Sequence, residues 1–165
     1  MKQIIFPVLV ILLFSCKKDN AAQTNTSILM GHTWYPYQVH LISYDTTTNF
    51  VLKDTTYITT LCDQQSTYQF LPDSIVKRPL ICQGNVLKEG KWYASEDSLK
   101  ASIMTTQLVG TVYFPVEEGI TAARLLEINQ SYFIIKETKY STPLASIYGF
   151  MHPGRNEVYT TFRSL

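Results

Sequence analysis

From Ile28 to its end this chain reads as an all-β domain, on three features of the sequence. Apolar and polar residues alternate with a period of two, as they do when one face of a strand is buried and the other meets water. Threonine, tyrosine, isoleucine and valine dominate the alternating runs, and their branched or aromatic side chains suit a pleated surface. Turn residues interrupt the runs at short intervals, and no continuous helical pattern competes with them. Such a series of short strands builds a sandwich or a barrel.

The strands follow in order. In "WYPYQVHLISY", Tyr37, Val39 and Leu41 alternate with Gln38 and His40, and "DTTTN" supplies the turn that follows. A threonine-rich run, "DTTYITTL", leads to Cys62. "STYQFLPDS" places Tyr68 and Phe70 on one face and ends in Pro72-Asp73-Ser74, where the proline presets the backbone angle of a turn. "IVKRPLIC" carries Pro79, which cannot donate to a ladder and so marks an edge or a bulge. "GKWYA" and "SLKASIMT" form a hairpin around Glu96-Asp97, with Leu99, Ala101 and Ile103 on one face. "TVYFPV" precedes "ITAARLLEI" and "YFIIKET", the last two joined at Asn129-Gln130-Ser131. In "EVYTTFRS", Val158, Thr160 and Phe162 alternate against Glu157, Tyr159 and Thr161. The total is eight or nine strands in serial hairpins, with room for one turn of helix in "STPLASIYGFMHPGRN".

The N-terminus has a different texture. Lys2 precedes an apolar stretch from Ile4 to Phe14, a charged start and a short hydrophobic segment laid out like an export signal. Spanning a bilayer takes about 20 apolar residues, so this stretch, interrupted by Pro7, is too short for a permanent membrane helix. Leu13-Phe14-Ser15-Cys16 resembles a bacterial lipobox, in which the cysteine thiol receives diacylglycerol and the chain is cut in front of it. That resemblance implies a signal peptide over residues 1–15 and lipidation at Cys16, with the mature protein tethered to a membrane through its acyl chains. An ordinary secretory signal cut near Ala21-Ala22 is the alternative. Residues 16–27 then hold the lipid-bearing cysteine and "KKDNAAQTNTS", a polar, flexible tether, and residues 28–165 form the domain.

Composition narrows the field of function. Removing Lys2 from the 14 basic residues leaves 13 against 13 acidic ones, a balance with no electrostatic footprint for nucleic acid. The remaining 150 residues suit one domain. With Cys16 assigned to lipid, Cys62 and Cys82 are an even pair in a chain expected to leave the reducing cytoplasm, which predicts a disulfide; two buried free thiols are the alternative. A metal site is not expected, because no CxxC spacing and no clustered histidine accompanies them.

A second resemblance spans most of residues 28–165. "LMGHTW", then "STYQFLPDS" between the two cysteines, then "GKWYASEDSL" and "LLEINQSYFII" resemble, in order and spacing, the lipocalin-like domains of lipoproteins from Bacteroidetes-type bacteria. The resemblance implies an antiparallel up-and-down β-barrel of about eight strands. It also implies that Trp34 closes the base of the barrel, with the Arg163 cation packed across its face, although Gly31 stands one residue farther from Trp34 than the family's Gly-x-Trp allows. Outer-membrane anchoring is a further implication, with the leaflet open.

No enzyme or cofactor signal accompanies this architecture. His32, His40 and His152 lie far apart with no HExxH spacing, no Gly-x-Ser-x-Gly elbow is present, and Glu96-Asp97 and Glu117-Glu118 read as solvated neighbours. An eight-stranded barrel either fills with side chains or holds one small ligand. The expected function is binding of a small apolar or amphipathic molecule in a pocket lined by Tyr37, Val39, Tyr68, Phe70, Trp92 and Tyr132. The alternative is an interaction module that docks a protein or glycan at the cell envelope. Asp45-Thr46-Thr47, Asp54-Thr55-Thr56, Asp73-Ser74-Ile75 and Asp97-Ser98-Leu99 resemble an O-glycosylation acceptor, and equally the local hydrogen-bonding pattern of turns.

Overall fold

The computed structural model describes residues 24–109, 112–141 and 154–165. Its strands are β1 (Thr33–Tyr44), β2 (Val51–Ile58), β3 (Tyr68–Leu71), β4 (Ile75–Leu80), β5 (Val86–Ala94), β6 (Ser98–Val109), β7 (Val112–Ile128), β8 (Tyr132–Ser141) and β9 (Gly154–Ser164). All pair antiparallel, and β1 meets β9 to close an eight-stranded up-and-down barrel, with β2 as one extra strand. The signal peptide, Cys16, the segment before Thr24 and His152 lie outside the described residues, as does most of "STPLASIYGFMHPGRN", the run expected to hold one turn of helix.

Strand β1 has a different partner in each half. Thr33 and Trp34 pair with β3, whereas Gln38 to Tyr44 pair with β2, so β2 and β3 run in line along the same edge of β1. Between them the chain turns aside into a short helix, α2 (Leu61–Gln65). Thr60 caps that helix and Asp63 closes the capping box, a Thr-x-x-Asp signature readable in the sequence. The run expected to extend as far as Cys62 therefore ends as a strand at Ile58.

The other edge of β2 has no strand partner among the described residues. Facing it across the wall is the far end of β4, whose pairing with β3 stops at Lys77. Pro79 lies beyond that point and pairs only toward β5, opposite Leu87. Its missing N–H thus falls on a local edge, as its chemistry requires. The wall is interrupted between β2 and β4, and the Cys62–Cys82 disulfide spans this interruption, joining α2 to the 3₁₀ turn after β4 with Cα atoms 5.7 Å apart.

Aromatic residues fill the lower end. Trp34, Phe70 and Phe133 are fully buried, with Tyr68, Trp92 and Phe162 nearly so. Phe133 stacks on Phe162 with centroids 4.5 Å apart and meets Trp34 edge-on at 4.9 Å, while Phe70 meets Trp92 edge-on at 5.2 Å, arrangements that ring quadrupoles favour. A second helix, α1 (Asn25–Met30), covers this end with Ile28 and Leu29. Its Leu29 carbonyl accepts the Trp34 Nε1–H at 2.9 Å, and Asn25 donates to the Glu96 carbonyl across the base. The helix begins at Asn25 under a Thr24 cap, inside the segment read from sequence as tether.

The expected Arg163–Trp34 contact is not formed. Arg163 is exposed and its guanidinium lies 3.7 Å from the Tyr37 ring centre on the outer face, while Trp34 points inward opposite Ser164. The run expected to break between "TVYFPV" and "ITAARLLEI" continues as one 17-residue strand, β7. Gly119 carries it past β6 at φ +104°, where a Cβ would overlap the Ala101 carbonyl oxygen. Asp45 turns out to build a turn: its Oδ1 accepts from the Thr47 and Thr48 backbone N–H groups and the Thr48 hydroxyl.

Candidate functional site

A cavity of about 570 Å³ lies above the aromatic base, within the range typical of small-molecule sites. Tyr68, Phe162, Ile135 and Pro36 face it from the filled end, and Val39, Leu41, Gly119 and Ile120 from the walls. Polar groups concentrate toward β2 and the rim: Lys53, Thr55 and Tyr57 from β2, Asp63 of α2, Arg78 of β4, Glu137 of β8 and Thr160 of β9. The lining is amphipathic, and the gap between β2 and β4 borders it.

A bulge in β1 decides which side chains enter. Along β9, Pro36 pairs with Phe162 but Gln38 pairs with Thr161, which leaves Tyr37 as an extra residue. Pro36 has no N–H to keep the ladder regular. Thr59 compensates: its backbone N–H donates to the Tyr37 carbonyl at 3.0 Å and its hydroxyl reaches the Pro36 carbonyl at 2.6 Å. Below the bulge Trp34 and Pro36 face inward; above it Val39, Leu41 and Ser43 do. Tyr37 is turned outside, against Tyr35 and Arg163.

The six residues expected to line a pocket therefore separate. Val39 and Tyr68 line the cavity. Phe70 and Trp92 pack in the base instead, Trp92 donating its Nε1–H to the Leu71 carbonyl at 2.9 Å. Tyr37 and Tyr132 lie on the outer face, where the Tyr132 hydroxyl bonds to Glu127 and its pKa is raised by that hydrogen bond. On β8 the inward residues are Phe133, Ile135 and Glu137, one position out of step with Tyr132.

Sequence reasoning missed all four charged members of the lining, Lys53, Asp63, Arg78 and Glu137. The Glu137 residue is 5% exposed; its Oε2 lies 3.2 Å from Lys139 Nζ, and its Oε1 is buried without a hydrogen-bond partner. Arg78 holds its guanidinium 5.0 Å from the Tyr68 ring centre. Nearby, burial would raise the Glu118 carboxyl, but hydrogen bonds from Lys88 at 2.7 Å and Thr105 at 2.9 Å leave it below its ordinary value. Asp63 is committed to its helix cap, accepting from the Thr60 hydroxyl at 2.7 Å.

At the rim Ser43 donates to Asn156 Oδ1 at 2.6 Å, both fully buried. His32 meets Trp34 edge-on, and His40 pairs with Asp54 at 2.7 Å on the outer face, so the two share no site. Among the described residues no group of three or more histidine, cysteine or acidic side chains is placed to hold a metal ion, and no helix is long and apolar enough to cross a membrane. No protein-family model matches the chain, and no curated protein matches it in sequence.

Proposed function

We propose that this protein is a non-enzymatic carrier, anchored at the cell envelope through Cys16, that holds one small amphipathic molecule inside its barrel. The observation that carries the reading is the cavity above a filled base, apolar along Val39, Leu41, Ile120 and Ile135 and polar toward β2 and Glu137. A lining of that kind takes an apolar body and orients it by a few polar contacts. The anchor reading rests on Leu13-Phe14-Ser15-Cys16 and the short apolar run before it, and the lipocalin-like resemblance supports the choice of cargo.

The test is native mass spectrometry of the exported protein, sprayed from non-denaturing solution. A discrete non-protein adduct, retained in the folded charge states and lost on denaturation, is the expected result. A clean protein mass that stays unshifted against an envelope lipid extract would overturn the reading. Docking of a protein or glycan partner is the second reading; Leu61, Ile81, Val86 and Leu87, all about half or more exposed around the disulfide, favour it.

A further inference from the structure

We infer that the guest enters and leaves the cavity sideways, through the seam between β2 and β4, and that the Cys62–Cys82 bridge limits how far this seam opens. Such a route presupposes the ligand-binding reading above and adds the way into that same site. The exposure of the lining locates the opening. On β8 and β9 the residues that border the cavity, Ile135, Glu137, Thr160 and Phe162, are all buried, and so are Leu41 on β1 and Ile120 on β7. On the seam side Thr60 and Asp63 are exposed, and Thr55, Tyr57 and Arg78 are half-buried. At the upper end Ser43 of β1 and Asn156 of β9 have no exposed surface and bond to each other at 2.6 Å, so the barrel is packed there.

The seam is also where the wall is held least. Among the described residues no strand pairing joins β2 to Arg78, Pro79 and Leu80 of β4, whereas β1 and β9 pair along nearly their whole length. Parting two paired strands breaks a ladder of backbone hydrogen bonds; parting the lips of the seam breaks no ladder. The covalent bridge resists instead, holding α2 to the turn after β4. Thr60 and Asp63 border the cavity from that helix and its cap, so a movement of α2 shifts the edge of the cavity itself. The outer side of the lips is apolar: Leu61 on α2 is 78% exposed, and Ile81 beside Cys82 and Leu87 on β5 are about half exposed. An apolar guest arriving from water gains contacts there before it passes inside. Groups that touch the guest only in passage change its rates and leave its affinity alone.

The experiment follows Nile red entering and leaving the exported protein by stopped-flow fluorescence. Replacing both Cys62 and Cys82 by serine is expected to raise the association and dissociation rates together by about tenfold, with Kd kept within about twofold, because a looser gate speeds passage both ways. Leu61→Asp is expected to slow both rates by about threefold, since the passing probe meets a charge, whereas Tyr140→Asp, exposed at the upper end of β8, leaves them unchanged. Unchanged rates in the serine variant, or a weaker Kd carried by dissociation alone, would overturn the bridge as the limit on opening. Unchanged rates in Leu61→Asp, or slowing by Tyr140→Asp, would overturn the seam as the route while leaving the carrier reading in place. Failure of the wild type to bind Nile red would overturn both. If the serine variant does not fold, Leu61→Asp against Tyr140→Asp decides, both changes lying at exposed positions.

Discussion

Phe133 and Tyr132 are neighbours with opposite fates, and the difference is testable. Phe133 is fully buried between Phe162, Trp34 and Phe70, so Phe133→Ala is expected to cost about 3–5 kcal/mol in denaturant melts. Tyr132 lies on the outer face, and Tyr132→Ala is expected to stay within about 0.5 kcal/mol. Equal costs would mean that β8 is out of register. Glu157 gives a second test: burial would raise its carboxyl, but hydrogen bonds from Lys136 at 3.0 Å and Tyr159 at 2.9 Å hold it below its ordinary 4.5. A depressed carboxylate contributes stability above its unfolded value and loses it as pH falls through the folded one. Lys136→Met is therefore expected to destabilise the protein by about 1 kcal/mol at neutral pH, and by progressively less below about pH 4.5, followed by thermal melts across pH. Alternation alone made the parity of β8 hard to read, because Tyr132 and Ile134 on one face are as apolar as Phe133 and Ile135 on the other. Glu137 was hidden for a related reason: an acid at an inward position looks like an outward residue until the barrel is closed.

Among the elements, α2 and the disulfide do what strand pairing does elsewhere in the wall. The bridge closes a loop of sequence separation 20 and ties the β2 side to the end of β4. Replacing both Cys62 and Cys82 by serine is expected to cost roughly 3 kcal/mol on the chain-entropy account, measured by denaturant unfolding. Loss of less than about 0.5 kcal/mol would show that the wall holds without its clasp. The strands were legible because turn chemistry marks their ends: Pro72-Asp73-Ser74, Glu96-Asp97 and Asn129-Gln130-Ser131 all fall between strands in the structure. The bulge at Tyr37 was not, because nothing in "WYPYQVHL" says whether Pro36 ends a strand or merely shifts its phase. That one-residue shift moved Tyr37 to the outside and left Val39 and Leu41 facing the cavity. The first half of helix α1, Asn25 to Ser27, was read as tether because its polar residues have the composition of one, while Ile28 to Met30 were read as the start of the domain.

At the scale of the whole molecule, a barrel filled with aromatics at one end and hollow above them is suited to hold a guest away from water. If Cys16 carries the lipid, Cys16→Ser is expected to move the protein from the membrane fraction to the soluble one and abolish incorporation of labelled palmitate; an unchanged membrane fraction would contradict the anchor. Serial hairpins left a sandwich and a barrel both open, and only the lipocalin-like resemblance implied the closed barrel; its hollowness was not legible, since side-chain volume across a barrel depends on which strands oppose one another. The most direct test of the central claim is saturable binding of a fluorescent apolar probe to the exported protein and to Val39→Trp, which places an indole in the cavity. The account expects one probe per wild-type chain, and none in the variant at equal or higher melting temperature. Undiminished binding by a folded Val39→Trp would place the probe outside the barrel and contradict it.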